Sequence, residues 1–81
     1  MKKEIEKMVK AQMSNWAKED GIESILEMEI SNIDEEEIED ELWVDSENIK
    51  KDDLMTIIED CFYTVQKKVR AALAIAEAAM Y

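Results

Sequence analysis

The sequence predicts an all-α fold: a small domain of three or four helices organised around a long C-terminal helix. Three observations predict it. The chain of 81 residues has no proline and one glycine, so breakers are too scarce for a many-turned β protein. Apolar residues make up 47% of it and recur over most of its length at intervals of three and four, the period of a helix face. The last such stripe runs from residue 54 to residue 80, longer than any other segment. A chain of this size is one domain, 1–81, and buries roughly 60% of its unfolded surface. No internal repeat or Gly/Ser linker divides it.

The first helix is expected from about Lys3 to Glu19. Ile5, Met8, Val9, Gln12, Met13 and Trp16 form one stripe at i, i+3, i+4 spacing, with the lysines mostly off it. Gly21 stands where a left-handed residue would close the helix, and Ile22 is placed to supply the apolar contact after it. Residues 22–33 fit two patterns. Ile22, Ile25, Leu26, Ile30 and Ile33 suit a helix face, while Leu26, Met28 and Ile30 alternate with Glu27 and Glu29 as a strand would. The helix formers Glu, Leu and Met favour the helix. The competing arrangement is a short β pairing in the middle of the chain, with Leu42-Trp43-Val44 as the partner.

Asn32 or Asp34 reads as the N-cap of a short helix from Glu35 to about Leu42, anchored by Ile38 and Leu42. Asp34, Glu35 and Glu36 suit the positive end of its dipole. For the last helix, Asp52 and Asp53 offer a cap and a first-turn acid, and the helix is expected to reach the C-terminus. Its stripe is Leu54, Ile58, Cys61, Val65, Val69, Ala72, Ala76 and Met80, widened by Ile57, Phe62 and Leu73.

Composition removes most chemistry. There is no histidine, so triads and imidazole acid–base work are absent. One glycine cannot make a phosphate loop. The single Cys61 has no disulfide partner, and its place in an apolar stripe favours a structural thiol over a nucleophile. A calcium loop counted from Asp45 has Lys50 where glycine belongs and Thr56 where the bidentate glutamate belongs. No catalytic residue, metal ligand or cofactor is expected, and the chain reads as non-enzymatic. There is no secretory signal and no run of roughly 20 apolar residues, so a soluble, cytoplasmic protein is expected.

Charge carries the functional signal. Residues 22–49 hold twelve acids and no Lys or Arg, whereas the segments before and after carry net charges of +1 and 0 in a chain of net charge −11. Such a chain is expected to avoid direct contact with nucleic acid and anionic membrane, which repel it. Asp34 to Glu41 (DEEEIEDE) has seven acids in eight positions. As a helix it carries about one charge per ~1.7 Å of axis, close to the density of duplex DNA.

Two readings stay open. In the plainer one the run is a solvated face, partly neutralised within the molecule by Lys50, Lys51, Lys67, Lys68 and Arg70. In the sharper one it docks on the basic, nucleic-acid-binding face of a partner protein and acts as an inhibitor in the manner of a DNA mimic. The unbroken sign segregation favours the sharper one, because solubilising surfaces mix signs. Glu35, Glu36, Glu37, Glu39, Asp40 and Glu41 are its candidate residues, with Trp43 at the rim, where an aromatic side chain anchors an interface. Core packing is the competing role for Trp43. Small acidic phage-encoded anti-defence proteins work this way as a class, a likeness of composition alone. The alternative function is self-association into a homo-oligomer through the alanine-rich end of the last helix, with Ala72, Ala76 and Met80 at the contact and the acidic face solubilising the exterior.

Overall fold

The structure, a computed structural model, describes residues 2–42 and 50–79. Three α-helices and two short 3-10 turns follow one another: α1 (Lys2–Asp20), η1 (Ile22–Glu27), η2 (Ile30–Asn32), α2 (Glu35–Leu42) and α3 (Lys51–Ala79). The fold is all-α with a long C-terminal helix, and no strand occurs among the described residues.

The core follows the apolar stripes. Ile5, Val9 and Met13 of α1 are buried one turn apart, and they meet Leu54, Ile58, Cys61 and Phe62 of α3. Ile25, Met28 and Ile33 of the middle segment and Ile38 of α2 close the cluster. No polar or charged residue is buried among the described residues. Full burial of an aliphatic or aromatic side chain of this kind contributes roughly 1.5–3 kcal/mol, so this cluster holds the helices together.

The middle segment departs from both expected patterns. It is neither a regular α-helix nor a strand. It forms two 3-10 turns, and Trp43 and Val44, two of the three residues of the expected β partner, lie outside the described residues. At three residues per turn, Ile25 and Met28 fall on the same edge and both reach the core. A side chain of α3 fixes this geometry: Gln66 Nε2 donates to the carbonyls of Ile25 at 2.9 Å and Met28 at 3.1 Å. The Ile25 carbonyl also accepts from Met28 N–H at 3.3 Å, so Gln66 ties its side chain to the closing bond of the first turn.

Three local expectations need correction. Gly21 does end α1, and its N–H donates to Ala17 O at 2.8 Å. Its φ of 92° and ψ of 158°, however, lie outside the left-handed helical region, in a region essentially reserved for glycine. The chain therefore leaves α1 extended, and Ile22 is 50% exposed instead of folding back as an apolar contact. At α3 the helix begins at Lys51, so Asp52 and Asp53 are both first-turn acids and Lys50 takes the cap position, its carbonyl accepting from Leu54 N–H at 3.0 Å.

The molecule is elongated, with extents of 53 × 21 × 18 Å. The 29 residues of α3 span about 43 Å and the 19 of α1 only about 28 Å. The apolar stripe of α3 is buried or half-buried as far as Val69; Ala72 is exposed and Leu73 is its last half-buried residue. Beyond it Ala74, Ile75 and Ala76 are exposed, Ile75 at 71%.

Candidate functional site

Left to itself, α2 would not form. Eight residues fall short of the roughly 12–15 an isolated helix needs. Glu35/Glu39, Glu36/Asp40 and Glu37/Glu41 are like-charge i, i+4 pairs, each unfavourable by roughly 0.2–0.5 kcal/mol. Three contacts offset this. Asp34 is the N-cap, its Oδ1 accepting from Glu37 N–H at 3.1 Å. Asp34 thereby takes the role that the sequence left open between it and Asn32. Asn32 closes its own turn instead, its Oδ1 accepting from Glu29 N–H at 2.8 Å. Gln12 of α1 grips Asp34 from the other side: its Nε2 donates to Asp34 O at 3.0 Å and its Oε1 accepts from Asp34 N–H at 2.7 Å. Ile38, fully buried, then pins the helix to the core.

This mounting decides which acids face outward. At about 100° per residue, with Ile38 pointing inward, Glu36 and Asp40 fall on the opposite arc, Glu35 and Glu39 on one flank, and Glu37 and Glu41 on the other. Burial separates the two flanks: Glu35 and Glu39 are half-buried, while Glu37 and Glu41 are exposed with Glu36 and Asp40. Glu35 Oε1 is itself buried, without a hydrogen bond, and lies 3.9 Å from Lys51 Nζ. That pair ties α2 to the start of α3 and occupies Glu35 within the molecule. The side chain of Leu42 and all of Trp43 lie outside the described residues.

Internal neutralisation is slight. Among the described residues, Lys51–Glu35 is the one ion pair made by the acids of residues 22–41. Lys50, Lys67, Lys68 and Arg70 are exposed and make none with them. Arg70 does line a cleft of about 390 Å³ with Glu23 and Glu27, without pairing to either carboxylate. Glu23, Glu27 and Glu29 are likewise exposed, so the single-sign surface continues along the middle segment.

The structure brings Glu36, Glu37, Asp40 and Glu41 together as one stripe and places Glu35 and Glu39 at its inner edge. Gln12 is the residue that sequence reasoning misplaced. It was counted in the apolar stripe of α1, yet it positions the acidic helix. A glutamine inside an otherwise apolar stripe is the only sequence signal of that role. Ala72 and Ala76, the other candidates, are exposed on the projecting end of α3, and Met80 lies outside the described residues.

No cluster of three or more His, Cys, Asp or Glu side chains among the described residues is arranged to hold a metal ion. No helix among them is long and apolar enough to cross a membrane. No protein-family model, curated protein or solved structure matches the chain.

Proposed function

We propose that the protein is a non-enzymatic binding protein whose helix α2 occupies the basic, nucleic-acid-binding face of a partner protein. The observation that carries this is the outward stripe of Glu36, Glu37, Asp40 and Glu41, exposed and without ion pairs among the described residues, on a helix held by Gln12, Asp34 and Ile38. Four carboxylates on a rigid, preformed helix present charge at a spacing comparable to phosphates. Because the helix is already ordered, little conformational entropy is lost on binding. Long-range attraction steers the encounter, and close pairing with Arg and Lys on the partner competes with nucleic acid for the same groups. Glu39 and Trp43 belong to the rim of this reading.

The test is capture of partners from lysate at about 50 mM and about 500 mM salt, a range that changes screening strongly, followed by elution with duplex DNA. Proteins held only at the lower salt and released by the DNA support the reading. Binding that is indifferent to both salt and DNA contradicts it.

A second reading has its own observation. The end of α3 projects beyond the core with Ala72, Ala76 and Ile75 exposed, a surface of small and apolar residues that a second copy would cover. Under this reading Ala72→Glu or Ala76→Glu converts an oligomer to monomer in sedimentation, and neutralising α2 changes nothing.

A further inference from the structure

A second concavity lies apart from α2 and has the opposite character. α1 and α3 part along one side to leave a groove of about 290 Å³. Its floor is apolar: Ile57, Cys61, Val65 and Val69, one turn apart along α3. Lys2, Lys10 and Lys68 stand on its rim with Glu6 and Asp60. Cations therefore outnumber anions here, in a chain with 21 acidic and 10 basic residues. Lys10 and Lys68 make no ion pair among the described residues, although Glu6 and Asp60 share the groove. Both ammonium groups act on the Cys61 thiol. Burial pushes that thiol's pKa up, Lys10 and Lys68 pull against it, and Glu6 adds to the rise. The thiol itself points at α1, donating to Glu6 O at 3.6 Å.

We propose that this groove binds a small organic anion with a short unbranched apolar tail, the anionic head between Lys10 and Lys68 and the tail along Val65, Cys61 and Ile57. The volume decides the size class. It stands just below the roughly 300–1,000 Å³ typical of small-ligand sites, which fits a short ligand and is too little for a partner helix about 10 Å across. The floor decides the tail. Two exposed lysines alone bind an inorganic anion weakly, because water screens them. Each methylene laid on the apolar floor strengthens binding about fourfold. The head is anionic because lysines outnumber carboxylates on the rim, Lys2, Lys10 and Lys68 against Glu6 and Asp60, and Lys10 and Lys68 both act on the Cys61 thiol of the floor. This site is independent of the acidic face and takes a ligand that α2 would repel.

Octanoate is the probe, with octanol as the neutral control, added to the full chain. The readouts are methyl shifts of Ile57, Val65 and Val69 in NMR spectra and the rate at which Cys61, the only cysteine, is alkylated. Octanoate is expected to shift those methyls in a saturable way and to slow alkylation at least fivefold. Octanol at the same concentration should bind at least tenfold more weakly. In the Lys10→Gln/Lys68→Gln double variant, with its helical circular dichroism unchanged, octanoate should weaken to the level of octanol. Shifts centred elsewhere, equal binding of octanol and octanoate, or unchanged octanoate binding in the folded double variant would overturn the proposal. If the double variant fails to fold, the comparison of octanoate with octanol on the native chain decides by itself. Inorganic phosphate, run alongside, should leave the methyls unmoved, and a matching response to phosphate would show that the tail is not recognised and refute the assignment.

Discussion

Gln12 and Asp34, 22 residues apart, join α1 to the acidic helix through both ends of one amide. The Nε2 donates to the Asp34 carbonyl and the Oε1 accepts from the Asp34 N–H, so the two peptide groups that flank Asp34, where α2 begins, are held together. Asp34 in turn caps α2 through Glu37 N–H. The polar face of α2 is aimed by a side chain from another helix.

Gln12→Ala removes both bonds. Each contributes about 0.5–1.5 kcal/mol net, with the lower end expected at an exposed site, so urea denaturation should show a loss of about 1–2 kcal/mol. Hydrogen exchange at the Glu37 and Ile38 amides should accelerate more than at Ile58. Uniform acceleration along the whole chain would mean that Gln12 supports the core and does not position α2.

Asp34→Ala should cost about 1 kcal/mol through loss of the cap, and Asp34→Asn only a few tenths, because asparagine caps as well as aspartate. Equal losses would assign the effect to charge on the helix dipole.

Gly21→Ala tests the exit from α1. Nothing lies within 4 Å of a methyl group built there, so sterics with neighbours are absent and the loss is conformational. An alanine at φ 92° and ψ 158° should destabilise by about 1–3 kcal/mol in thermal or urea unfolding. A neutral substitution would show that the chain leaves α1 by another path.

Cys61 gives the chain an alkaline sensitivity. Burial raises the thiol's folded pKa above the unfolded value of about 8.5. Stability from keeping the thiol neutral is therefore fully present below about pH 8.5 and is lost as pH rises through the folded pKa. The native chain should lose stability faster than Cys61→Ala between about pH 7.5 and about pH 9.5. Parallel pH profiles for the two would contradict this.

Much of the frame was legible because it depends on local signals. Asp34, with Asn32 as the competing cap, followed by Glu35, Ile38 and Leu42 marked α2 from Glu35 to about Leu42, and the spacing of Ile5, Val9 and Met13 marked the buried face of α1. The segment from Ile22 to Ile33 was not legible. Its form depends on Gln66, about 40 positions away, pairing the carbonyls of Ile25 and Met28, and periodicity contains no such information. The stripe of α3 was legible as helix, but periodicity does not say where the core ends: Ala72 and Ala76 keep the period and are exposed. The acidity of α2 was plain in the sequence. Which acids face outward was not, since that follows from the inward direction of Ile38 and the pairing of Glu35 with Lys51.

The most direct measurement compares capture from lysate at about 50 mM salt by the native chain and by the Glu36→Gln/Glu37→Gln/Asp40→Asn/Glu41→Gln variant. That variant keeps Asp34, Ile38 and Glu35, and relief of the like-charge pairs offsets the loss of two first-turn acids at the helix dipole, so it should stay folded. Nucleic-acid-binding proteins retained by the native chain and lost by the folded variant are the result the account predicts. Equal retention by both would contradict it and return the outward carboxylates to the role of a solvated surface.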